Sequence, residues 1–249
     1  MHRTYLGIDL AAQPRRTGLA MLREDGERCV LDHVTVGAED DTVIDAATGA
    51  TKAGVDVPLG WPRRFVQLLA AHAVHELSAP ESTGDDWRRE HAMRATDRVV
   101  HRRTGLTPLS VATDRIAHPA LRWAGIEARL RDRGLDVARD GSGTLCEVYP
   151  AAALQIWGLT HRGYKGAKNQ VPRAALVDTL SAWLPFLDWN GHRGLCATEA
   201  DALDAVLAAL IAREVDQGRA IPPDAEDLAL ARQEGWIWLP RARPSGSRT

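Results

Sequence analysis

Apolar and polar positions alternate over the first third of the chain in the manner of strands. Residues 3–10 (RTYLGIDL) form a β-rich run that ends on an acid. Residues 17–22 and Arg28–Val36 read as two further strands, and the Asp25-Gly26 pair between them is a hairpin signal. Three strands joined by short turns predict an antiparallel meander. A fourth strand over 53–57 is stopped by Pro58 and Gly60. The pattern then becomes helical. Helices are expected over 63–77, 87–103 and 114–133, the last interrupted early by Pro119. A short buried strand over 144–148 ends at Tyr149-Pro150. Helices follow over 172–184 and 199–216, with a last strand over 236–239.

Strands first, then helices and strands in alternation, predict an α/β layer architecture with a mixed sheet. The expected organisation is one domain over 1–240, with a helical insertion at about 61–143. The basic Ser/Pro/Gly-rich tail, 241–249, reads as disordered.

A chain of 249 residues needs neither disulfide nor metal merely to fold. Three cysteines (Cys29, Cys146, Cys196) lie far apart and form no CxxC pair, which excludes a disulfide framework and a zinc ribbon. The longest strictly apolar run, 205–212, is too short to span a bilayer. The opening residues carry no signal-peptide core followed by a cleavage site, so no membrane association and a cytoplasmic location are expected. The formal net charge of −2 excludes a globally basic, histone-like binder while allowing a local basic groove.

The chemistry concentrates in acids at strand ends. Asp9 closes Gly7-Ile8-Asp9, Asp56 sits in Gly54-Val55-Asp56-Val57-Pro58, and Glu147 precedes Val148-Tyr149-Pro150. Asp201 and Asp204, three apart, open an Ala-rich helix and share one face. A carboxylate in an apolar strand is costly without a partner. Strand ends of open α/β sheets are where ligand crevices form. Converging carboxylates need cations, and a set of hard oxygen donors favours Mg²⁺ or Mn²⁺ over zinc. Each acid also has a plainer reading. Asp9 and Asp56 can begin polar turns, Glu147 can pair with an arginine of the insertion, and Asp201 fits a Thr198-x-x-Asp201 helix cap.

In that order and spacing, GIDLA, GVDVPLG, RATDR, EVYPAA and EADALDAVLAAL resemble the domain-of-unknown-function family 429. The resemblance covers about residues 5–212. It implies a ribonuclease-H-like, three-layer α/β/α fold with a mixed five-stranded sheet, and a nuclease activity. It also implies an acidic cluster from the first strand, the fourth strand and the last helix, matched by Asp9, Asp56 and Asp201, with Glu147 as the acid before Tyr-Pro. Related junction-resolving nucleases carry an acid or histidine where this chain has Thr198, which leaves Glu199 or Asp204 as the substitute ligand. In RATDR the resemblance turns Arg94, Asp97 and Arg98 toward the acidic cleft.

Two basic stretches complete the candidates. Residues 87–103 hold six arginines against two acids, and Arg94 and Arg98 share a helix face suited to phosphates. Residues 161–173 read as a loop in which Lys165, Lys168 and Tyr164 could meet phosphate or base. Trp61, just past the Asp56 motif, is a candidate cleft wall. The leading expectation is a metal-dependent nuclease acting on DNA or RNA, with Asp9, Asp56, Glu147 and Asp201 at the reaction and Asp204 as a further ligand. The alternatives are a non-catalytic nucleic-acid or metabolite binder on the same fold, and an actin-like-fold ATPase.

Overall fold

The computed structural model describes residues 2–241 and 243–244. The tail expected to be disordered lies for the most part outside the described residues. β1 (Thr4–Asp9) pairs antiparallel with β2 (Gly18–Asp25), and β2 pairs antiparallel with β3 (Arg28–Val36), which is the expected meander. The β2–β3 turn uses Gly26 at φ +62°, a conformation that costs glycine little. The chain then crosses back through α1 (Asp40–Thr48) and re-enters as β4 (Lys52–Val55), parallel to β1.

Four helices occupy the stretch before the next strand: α2 (Arg63–Ala73), α3 (Asp85–Ala92), α4 (Ala95–Thr104) and α5 (Ala117–Asp132). The single helix expected over 87–103 is thus two. Met93 and Arg94 are extended, and Asp97 accepts a hydrogen bond from the Arg94 backbone N–H (2.9 Å), starting α4 afresh. Pro119 is accommodated in the first turn of α5, where no intrahelical N–H is required.

β5 (Leu145–Val148) then pairs parallel to β4. After it come α6 (Pro150–Ile156), α7 (Gln170–Trp183), β6 (Leu187–Asp188), α8 (Arg193–Thr198) and α9 (Ala200–Asp216). The described chain finishes with β7 (Ala220–Ile221), α10 (Leu228–Glu234) and β8 (Ile237–Pro240). The sheet is mixed and has eight strands, in the order β6-β3-β2-β1-β4-β5-β8-β7, not the five expected. β6 and β7 are two residues each, too short to leave a periodic signature, and β8 extends the parallel edge beside β5.

Strand alternation splits the core between the two faces of the sheet. Tyr5, Ala20, Leu22, Cys146 and Val148 belong to the apolar cluster shared with α7 and α9. Leu6, Ile8, Ala53, Val55 and Leu145 belong to the one shared with α1 and α5. α9 is buried nearly all round, as its uniformly apolar sequence requires. It rests directly on the sheet. A Cβ built on Gly7 would come within 1.9 Å of Ala205 O, on Gly18 within 2.1 Å of Asp201 O, and on Gly54 within 2.4 Å of Ala208 O. Three glycines on adjacent strands therefore seat the Ala-rich helix and bring its first turns down to the end of β1. No helix among the described residues is long and apolar enough to cross a membrane.

Candidate functional site

Parallel pairing of β1 and β4 sets Ile8 opposite Val55, so the next residues, Asp9 and Asp56, emerge side by side where the two strands end. α9 presses onto the same place and supplies Asp204. One carboxylate oxygen from each of Asp9, Asp56 and Asp204 lies within 4.8 Å of the others. Asp204 is 1% exposed, and Asp9 and Asp56 are partly open. The Tyr164 hydroxyl donates to Asp204 Oδ1 (2.7 Å). Asp204 Oδ2 is buried and accepts no directed hydrogen bond, while Lys165 Nζ stands 2.5 Å from it as an ion pair.

Crowding of like charges in a desolvated corner sets the protonation behaviour. Burial, then the facing Asp204 and Asp56, push the Asp9 carboxyl well above the ordinary carboxylate range. Burial chiefly, with Asp204 and Glu147 adding to it against Lys165, pushes Asp56 up to about 7. Burial alone would lower the Lys165 ammonium. The carboxylates of Asp204, Asp56 and Asp9, together with Tyr164, outweigh it and hold Lys165 firmly charged.

The other sequence candidates have different surroundings. Asp201 points to Arg16, which donates to both its oxygens at 3.1 Å. Glu147 accepts a two-pronged Arg94 contact (2.7 Å each) and the Leu59 N–H (3.0 Å). Its burial raises the carboxyl against the pull of Arg94. Arg94 is 1% exposed, and its five N–H groups go to Glu147, Asp97 and the Glu234 carbonyl, leaving none for a phosphate. Asp97 is fully buried in that network. Glu234 extends it by accepting the N–H groups of Arg63 and Ala95. Arg94, Asp97 and Glu147 thus form a strut joining α4 to β5 and α10. Exposed Arg98 donates to Met93 O and lines a separate groove with Arg63 and Arg64. Lys168 is exposed on the 161–169 loop outside the cleft lining, Glu199 is exposed, and Trp61 packs against the core under β1 and β4.

A cleft of about 460 Å³ opens over Asp9 and Asp56. One wall comes from the chain after α4 (Leu106, Pro108, Leu109) and from Ile116. Tyr149 and the His161-Arg162-Gly163-Tyr164-Lys165 segment also line the cleft. Sequence reasoning read 161–173 as a loop able to meet phosphate but gave His161, Arg162 and Tyr149 no individual roles, because nothing local marks which residue of a loop faces an acid some hundred positions away.

Residues 7–227 match the family described as Protein of unknown function (DUF429), and the chain belongs to it. No curated protein and no solved structure matches the chain.

Proposed function

We propose that this protein is a metal-dependent nuclease, hydrolysing phosphodiester bonds of DNA or RNA on a ribonuclease-H-like α/β/α fold. The observation that carries this reading is the meeting of Asp9, Asp56 and Asp204 at the carboxyl ends of two parallel strands, with Asp9 and Asp56 lining an open cleft. The five central strands β3-β2-β1-β4-β5, mixed and covered on both faces, supply the core that such a fold requires.

The residues fit the implied Mg²⁺ or Mn²⁺. The donors are all oxygen, the three carboxylates once ionised carry more negative charge than the one lysine offsets, and the buried Asp204 Oδ2 faces the Lys165 ammonium alone. Asp9, Asp56 and Asp204 would hold the ion, which when bound activates water and neutralises charge at the scissile phosphate. The chain's own part is positional. Tyr164 fixes the Asp204 carboxylate, the Arg94–Glu147 pair fixes the wall beside Asp56, and Arg162 lines the cleft where phosphate oxygens can reach it.

The test is cleavage of end-labelled single- and double-stranded DNA and RNA with Mg²⁺, Mn²⁺, Ca²⁺ or EDTA. Cleavage is expected with Mg²⁺ or Mn²⁺ and not with Ca²⁺ or EDTA, and it should fall at least a hundredfold in Asp9→Asn. Undiminished cleavage in EDTA, or by Asp9→Asn, would refute the reading.

A further inference from the structure

The ammonium of Lys165 is placed by a dedicated piece of structure. Gly163 and Gly166 flank it at φ +76° and +88°, so the loop turns sharply on either side. Arg173, 2% exposed, donates to Tyr164 O (2.7 Å) and Gly166 O (3.2 Å), the carbonyls of the residues on both sides of Lys165. The same guanidinium holds Ala197 O and Thr198 O at the end of α8, where the chain turns into α9. Tyr164, 1% exposed, reaches from the adjacent position to Asp204 Oδ1. A buried clip thus locks the lysine's backbone to the helix that supplies Asp204. Its side chain, about half exposed, enters the carboxylate cluster from the cleft side.

Resting on the metal-site reading above, we propose that Lys165 is a resident monovalent counter-ion that limits the carboxylate cluster to one divalent cation. With a cation bound and all three carboxylates ionised, the carboxylates and the one ammonium leave two negative charges, which a single divalent ion neutralises. A second divalent ion would leave the set two charges positive, with an ammonium 2.5 Å from the Asp204 oxygen it needs. Asp201 stands outside the three-carboxylate set, and Arg16 donates to both its oxygens. Lys165 is therefore a positioning residue that takes the place of a second ion in a two-ion clamp.

Mn²⁺ titration of the full chain, followed by calorimetry and by electron paramagnetic resonance, reads this directly without any turnover. Wild type is expected to bind one Mn²⁺ per chain with the spectrum of an isolated ion. Lys165→Met keeps the aliphatic stem and removes the charge. It should bind two, with the broadened signal of spin-coupled ions, while Lys165→Arg should return to one. Lys165→Gln replaces Lys165→Met if circular dichroism shows that the latter is misfolded. Two coupled ions in wild type, or one ion at unchanged affinity in the charge-removed variant, would overturn the assignment of Lys165 and leave the metal centre standing. No Mn²⁺ bound by either protein would overturn both.

Discussion

At the scale of single residues, the site is a set of charges that the fold holds in unequal circumstances. Asp56, pushed up to about 7 mainly by burial, binds its proton more tightly when folded than when unfolded, where a value near 3.8 applies. Its contribution to stability is fully present below about 3.8 and is lost as pH rises through about 7. Asp56→Asn keeps the shape and removes this loss. In EDTA the variant should gain on wild type by roughly 1–3 kcal/mol between pH 5 and pH 8, a shift of several degrees in Tm. Mn²⁺ at pH 8 should close the gap by stabilising wild type alone. Melting curves at the two pH values check both statements. Arg94 calls for the opposite experiment. Arg94→Ala leaves Glu147 and Asp97 buried without their partner, so it should cost about 3–5 kcal/mol and depress solubility. Urea unfolding measures this, and a loss below 1 kcal/mol would show that the pair is not holding the wall. The apolar setting of Glu147 made its need for a partner legible in the sequence. The choice between a metal and Arg94 was not legible, because it depends on a break between helices 53 positions away.

At the scale of elements, α9 decides whether the acids meet. Its burial and length could be read from an unbroken apolar stretch, and the strand-end positions of Asp9 and Asp56 from their motifs. Which acid of α9 faces the cluster could not, since Asp201 and Asp204 lie on the same helix face and differ by less than a turn. The seat cut by Gly7, Gly18 and Gly54 settles it, lowering the helix until Asp204 reaches the cluster while Asp201 reaches Arg16. Gly7→Ala puts a methyl where Ala205 O stands and must lift the helix. A cost of about 2–4 kcal/mol is expected, with a Mn²⁺ affinity loss larger than that of a control substitution of equal stability cost elsewhere in the core. Calorimetric Mn²⁺ titration at a temperature where both variants are folded separates the two effects. α1 escaped sequence reading because its buried face is only Val43, Ile44 and Ala47, little more than one turn. The 87–103 stretch read as one helix because its arginines continue through Met93 without a glycine or proline. The stop lies in the extended backbone of Met93 and Arg94, which turns the Arg94 guanidinium inward.

At the scale of the molecule, the 31 basic residues are largely spent on the protein itself. Arg122 pairs with Asp40, Arg129 with Asp41 and Arg133 with Asp45, which ties α5 to α1 across one face of the sheet. Arg64 pairs with Glu90, and Arg139 with Glu127. In the arginine-dense stretch that looked like a phosphate surface, Arg94 is a buried strut beside the cleft and Arg98 lines a separate groove. Of the arginines and lysines lining the cleft, Arg94 and Lys165 are paired with acids, and Arg162 makes no ion pair among the described residues. For the proposed nucleic-acid substrate this predicts weak salt dependence. One or two phosphate contacts on a single strand give a slope of log affinity against log salt of roughly −0.7 to −1.4. Arg162→Ala should flatten the slope by about 0.7. Arg98→Ala should leave it unchanged, because its guanidinium faces Met93 O and the groove beyond α3. Fluorescence anisotropy of a labelled single strand across a salt series, with Ca²⁺ in place of Mg²⁺ to hold cleavage off, gives all three slopes. A wild-type slope steeper than about −3 would mean that a basic surface outside the cleft carries the binding, and equal flattening in Arg98→Ala would locate it at the α2–α4 groove.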